Sequence, residues 1–131
     1  MQLKRIDHLV ITVKNVGAAV EFYTKVLNMQ EITVKGKNIE MKAVRFGDQR
    51  FHIHEAGKEH EPKALKATPG SADICLVTDT SIPEVLNHLK KFHIKIEKEP
   101  MVITGTLGEM ESVWFRDPDG NLIEISKYLK M

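Results

Sequence analysis

Apolar and polar residues alternate along much of this chain, and two stretches of helical period interrupt the alternation. Over residues 6–13, Leu9, Ile11 and Val13 fall on one face and Ile6, His8, Val10 and Thr12 on the other, which predicts a strand. Asn15 can cap the next segment, where Val16, Val20, Tyr23 and Leu27 recur at helical spacing. Strands are predicted at 29–35, 39–46 and 50–55, separated by the turns Gly36-Lys37-Asn38 and Gly47-Asp48-Gln49. The order is β-α-β-β-β.

Residues 56–70 break this pattern with Gly57, Pro62, Pro69 and Gly70 among Lys, Glu and His, and read as a connecting loop. The pattern then restarts. A strand is predicted at 73–78, and Ser81-Ile82-Pro83-Glu84 has the form of a capping box opening a helix through Val85, Leu86 and Leu89. Further strands are predicted at 94–98, 110–116 and 121–127. The last two are joined by Asp117-Pro118-Asp119-Gly120, in which Pro118 presets φ and Gly120 closes the turn. A supersecondary unit repeated near half the chain length predicts an α+β fold of two βαβββ modules, at about 1–56 and 71–131 with a linker at 57–70.

The 131 residues form one domain of ordinary size, able to bury a core without staples. A net charge of +1 gives no large field for nucleic acid or an anionic membrane. Cys75, the single cysteine, excludes an internal disulfide framework and suits a reducing cytoplasm. The N-terminus runs into a strand pattern with no apolar leader, and no segment has the length to span a bilayer.

Each module interrupts its first and last apolar strands with a polar residue. These are His8 and Asp73 in the first strands, 65 residues apart, and His54 and Glu124 in the last, 70 apart. Period-2 reasoning turns each away from the main apolar face of its strand. If the two modules pair into a cupped eight-stranded sheet with helices on the convex side, the four converge. Two imidazoles and two carboxylates suit a divalent cation such as zinc, nickel, manganese, iron or cobalt, with positions left for water or substrate. Blander roles compete: Asp73 can cap a turn, Glu124 can pair with a lysine, and the neighbours His52 and Glu55 leave the inward group of that strand to its register. His60, His88 and His93 fall in loop or helix contexts, and Cys75 shares the Asp73 face as a small apolar residue.

Three stretches carry a resemblance: 6–13, the helix with Phe22-Tyr23, and Phe115-Arg116-Asp117-Pro118-Asp119-Gly120-Asn121-Leu122-Ile123-Glu124. Together they resemble the vicinal oxygen chelate superfamily of glyoxalase I, fosfomycin-resistance proteins, methylmalonyl-CoA epimerase and extradiol dioxygenases. Residues 46–55 and 69–76 resemble most the glyoxalase-domain-containing protein 5 group. The resemblance implies paired βαβββ modules forming a cup, with metal ligands from the first and last strand of each; by position these are His8, His54, Asp73 and Glu124. Most metal-bearing relatives have His where this chain has Asp73, which weakens a direct transfer of their activities.

The leading expectation is therefore a metal-dependent lyase or isomerase of the glyoxalase type. A small substrate with vicinal oxygens, such as a glutathione or other thiol adduct, would lose and regain a proton through Glu124. Arg45 and Arg116 are candidates for holding a substrate carboxylate, against the plainer role of exposed or ion-paired arginines. The alternatives are a binding or sequestering protein on the same fold and an iron-dependent dioxygenase, the latter disfavoured by Asp73. A homodimer is expected, because the edges of two four-stranded halves need cover.

Overall fold

The computed structural model describes residues 1–130. Eight strands and two helices fall into two compact units, Met1–Gly70 and Ser71–Met131. Each unit is a four-stranded mixed sheet built from one βαβββ module. The first contains β1 (His8–Val13), α1 (Val16–Glu21), β2 (Gln30–Gly36), β3 (Ile39–Phe46) and β4 (Gln49–Glu55). The second contains β5 (Asp73–Val77), α2 (Ile82–Lys91), β6 (Lys98–Gly105), β7 (Gly108–Arg116) and β8 (Leu122–Tyr128). Sheet order is β1-β4-β3-β2 and β5-β8-β7-β6, so the first strand of each module runs parallel to the last and forms an edge.

Local chemistry explains the elements. The Asn15 side chain caps α1 by accepting from the Ala18 N–H at 2.8 Å. The helix then widens into a π-helical turn, Phe22–Val26. Within it Val26 is buried, while Leu27, where a 3.6 period from Tyr23 puts the next core residue, is half-buried. Ser81 caps α2 by accepting from the Glu84 N–H, as the capping-box spacing predicts, and its hydroxyl also donates to Glu84 Oε1 at 3.2 Å.

One correction concerns residues 94–98. The chain there is irregular, and the strand starts at Lys98 and runs through Pro100 to Gly105. Proline withholds a ladder donor and so hides the strand from pattern reading. β6 tolerates it as an edge strand whose register shifts between Lys98 and Met101.

The apolar face of each sheet meets its helix. Tyr23 is fully buried and packs edge-on against Phe51, ring centroids 5.7 Å apart, with Ile11, Val13, Val44 and Ile53 around them in the core of the first unit. In the second unit Ile82 and Leu89 of α2 are buried with Val113, Phe115, Ile123 and Ile125. Packing one face this way leaves the opposite face of each sheet to carry the polar interruptions.

Candidate metal centre

In the first unit that opposite face carries His8, His52 and His54 together. Register pairs Val10 with His52 and Thr12 with His54 across β1 and β4. His8 stacks on His52 with ring centroids 4.0 Å apart and an interplanar angle of 8°. His54 lies edge-on to His60 at 5.2 Å, on a recess of about 270 Å³ that Met41 and Lys58 also line.

The two stacked imidazoles sit in different surroundings. Asp7 Oδ2 is 2.9 Å from His8 Nδ1, and this hydrogen bond keeps the Asp7 carboxyl below the usual carboxylate range. An ionised carboxylate only accepts, so His8 Nδ1 donates this hydrogen bond. His52 is buried, and its Nε2 is, among the described residues, the buried side-chain polar atom left without a hydrogen-bond partner. Burial pushes the His52 imidazole down to about 4, with nearby His8, Arg50 and His54 acting in the same direction. Burial also lowers His54, and His60 adds to it.

The second unit is organised by the turn before β8. Asp117 Oδ1 accepts from the N–H groups of Asp119 and Asn121, each at 2.9 Å, and Oδ2 accepts from Asn121 Nδ2 at 2.7 Å. Asn121 Oδ1 in turn accepts from the Ala72 N–H at 2.8 Å, which ties the approach to β5 onto the start of β8. Gly120 supplies the φ of +90° that the turn requires. This clamp sets the register Asp73↔Leu122 and Cys75↔Glu124. Half-buried Glu124 accepts from Ser126 Oγ at 2.9 Å through Oε2. The fully buried Ser126 and Ser112 hydroxyls hydrogen-bond each other, and Cys75 Sγ lies 3.2 Å from Ser126 Oγ. Burial pushes the Cys75 thiol up.

The two registers can be compared directly. Two residues into β5, Cys75 faces Glu124; two residues into β1, Val10 faces His52. His52 thus occupies in the first unit the position that Glu124 occupies in the second, and His54 lies one pleat further along. Asp73 is exposed at the start of its edge strand. Among the described residues no three His, Cys, Asp or Glu side chains gather into a group that could hold a metal ion. The structure thus brings His8 to His52 within one unit, while Glu124 rests on serines within the other. Of the two arginines, Arg116 is engaged: it pairs with Glu97 at 3.3 Å and donates to the Gly120 carbonyl at 3.2 Å. Arg45 is exposed on β3, opposite Arg50 of β4. His52 was visible in the sequence only as a neighbour of His54; Arg50, Ser112 and Ser126 gave no signal of their own.

Two βαβββ units of this kind define a glyoxalase-type fold. Residues 5–125 match the Glyoxalase/Bleomycin resistance protein/Dioxygenase superfamily, and the chain belongs to it. It is similar to virulence protein STM3117 of Salmonella typhimurium, 44% identical over 129 residues that cover 98% of this chain and 88% of that one. The crystal structure of that protein superposes with a TM-score of 0.93, covering 98% of this chain and 100% of the other. The chain is 40% identical to glyoxalase domain-containing protein RDO1 of Mycosarcoma maydis, covering 98% of this chain and 70% of RDO1. At 18% identity the fold is shared with lactoylglutathione lyase from Agrobacterium tumefaciens, TM-score 0.71, covering 96% and 95% of the two chains. It is shared at the same identity with TnmS3, an antibiotic binding protein from Streptomyces sp. CB03234, TM-score 0.75, covering 97% and 98%. Among the described residues no helix is long and apolar enough to cross a membrane.

Proposed function

We propose that this protein is a divalent-metal-dependent lyase or isomerase of the glyoxalase type, acting on a small substrate with vicinal oxygens. The observation that carries the reading is the buried, partnerless Nε2 of His52, stacked on a His8 whose Nδ1 is held by Asp7. A buried ring nitrogen without a partner is costly unless something binds it. Two imidazoles and two carboxylates are a donor set that fits a borderline cation. The residues we assign to hold it are His8, His52, Asp73 and Glu124. His52 takes the β4 place that residue counting gave to His54, because register matches it to Glu124.

A bound divalent cation supplies Lewis acidity toward two neighbouring oxygens of the substrate. The chain supplies the proton transfer. Ser126 holds Glu124 Oε2, so Oε1 is the atom that takes a proton from one carbon and returns it to the next. The C–H electron pair becomes a C=C bond as the carbonyl pair moves onto its oxygen. The second carbon then takes the proton while the hydroxyl carbon becomes the new carbonyl and its O–H proton passes to the former carbonyl oxygen, so the substrate is isomerised with atoms and charge balanced. The Ser112–Ser126 pair fixes the carboxylate so that little reorganisation accompanies the transfer.

The test is turnover of the hemithioacetal of methylglyoxal and glutathione by metal-loaded protein. Glu124→Gln is expected to lower it by at least about a hundredfold, in the range for losing a general base, while keeping most of the metal. Equal turnover in the variant would end the catalytic role of Glu124. A second reading is a small-molecule binding protein on the same face, favoured by the apolar residues Val10, Ile32, Val34 and Met41 that share it with the histidines. That reading gains if metal-loaded protein turns over no substrate yet still binds apolar ligands there.

A further inference from the structure

One row across the sheet of the first unit starts at His8 and continues through residues that have no part in the reading above. Register runs from His8 to Arg50, from Arg50 to Arg45 and from Arg45 to Gln30, across all four strands in the order β1, β4, β3, β2. Residues directly paired on adjacent strands point to the same face, with strand axes about 4.8 Å apart. The row therefore presents an imidazole, two guanidiniums and a carboxamide side by side. Like charges directly opposite one another destabilise a sheet, and nothing in the apolar packing of this unit calls for them. The other charges on the sheet are arranged differently. Glu31, Glu40 and Glu55 of β2, β3 and β4 alternate onto the helix-covered face, so the strands place no carboxylate on the face with the arginines. Asp7 stands just before β1, is engaged by His8 and, at 4.0 Å, by Arg5, and also feels the charge of Arg50.

We propose that Arg45 and Arg50, flanked by His8 and Gln30, form the subsite for an anionic group of the substrate: a carboxylate, phosphate or phosphonate. Planar guanidiniums suit oxyanions because each donates two parallel hydrogen bonds. The subsite rests on the proposal that the substrate's vicinal oxygens lie at the His8–His52 pair; it makes that substrate a small acid or acid ester, held by its charge one row away from its reacting carbons. Arg45 and Arg50 are positioning residues here. Arg116, engaged with Glu97 and Gly120, is not part of it.

The experiment separates this subsite from the metal. Chelator-treated, metal-free full-length protein is titrated with inorganic phosphate, acetate and methylphosphonate, read by calorimetry and by the arginine Nε–Hε resonances. At least one of the three is expected to bind and to shift the Arg45 and Arg50 signals. Arg45→Gln is expected to weaken that binding by roughly tenfold or more, the double Arg45→Gln/Arg50→Gln variant to abolish it, and Arg45→Lys to fall between. Because the paired guanidiniums repel, the melting temperature of Arg45→Gln is expected to stay level or rise. The variants are also expected to bind metal as the parent does, so loss of metal binding in the parent would fail the metal proposal and leave the anion result standing. No saturable binding of any probe, binding indifferent to both arginines, or a clear drop in melting temperature on Arg45→Gln would overturn the subsite.

Discussion

Replacing His52 by Phe should stabilise the metal-free protein while removing a metal ligand. His52 is 7% exposed and its Nε2 has no partner. A buried polar atom left unpaired costs about 1–3 kcal/mol. Phenylalanine removes that cost, keeps an aromatic face against His8, and adds some volume that takes back part of the gain. The net expectation at pH 7.5 is about 1 kcal/mol of added stability, a rise of about 4 °C for a domain of this size. The pH dependence sharpens the test. The folded-state value of His52 is about 4 and the ordinary value 6.5, so between these the unfolded chain binds a proton that the folded chain refuses. Stability contributed by neutral His52 is complete above about 6.5 and is lost as pH falls toward 4. The full shift corresponds to at most about 3 kcal/mol, and screening at the open side of the sheet reduces it to about 1–2. The Phe variant has no such proton to refuse, so its advantage should widen by that amount between pH 7.5 and 4.5. Urea unfolding with chelator at both pH values measures this, with His52→Leu as the volume-conserving check. If both variants are less stable than the parent at pH 7.5, or if the gap does not move with pH, then His52 is an ordinary satisfied core residue.

Three further outcomes follow from the same geometry. Asp117→Ala should lose about 3–4 kcal/mol in urea unfolding, since one buried carboxylate accepts two backbone N–H groups and the Asn121 amide; a loss below about 1 kcal/mol would mean the turn holds without it. His93 sits at φ +57° after α2, where its N–H reaches the Lys90 carbonyl at 3.0 Å and the Ile94 N–H reaches that of Leu89 at 3.1 Å. This is a position glycine fills without strain, so His93→Gly should add about 0.5 kcal/mol, seen as a small rise in melting temperature. The edge strands β1 and β5 expose Val10 and Val77 at 49% and 60%, so sedimentation at micromolar concentration is expected to show a homodimer, and a clean monomer would refute it.

The fold was largely legible in the chain because each element carries its own local signature. The alternation around Leu9 and Ile11, the capping box at Ser81 and the Asp117–Gly120 turn each act over a few residues. Where legibility failed, a neighbour supplied the missing information. β6 hides behind Pro100 because only its edge position makes proline acceptable there. Val26 is buried and Leu27 half-buried in a π-helical turn that hydrophobic spacing does not encode. The site shows the same limit. His8, Asp73 and Glu124 stand out as polar interruptions of apolar strands, but His52 and His54 point to the same face, and period alone cannot choose between them. Only the parallel register of β1 with β4 matches His52 to Glu124. Ser126 was hidden because a small hydroxyl on a strand has no pattern of its own until its partners Glu124 and Ser112 are in place.

The central claim is that His8, His52, Asp73 and Glu124 hold one divalent cation. Equilibrium dialysis of chelator-stripped protein against zinc, nickel and cobalt, followed by elemental analysis, tests it without reference to any substrate. The claim predicts one metal ion per chain in the parent, a loss of at least about tenfold in affinity in His8→Ala and in His52→Phe, and affinity near that of the parent in His54→Phe. Substoichiometric metal in the parent, or binding lost in His54→Phe and kept in His52→Phe, would contradict it.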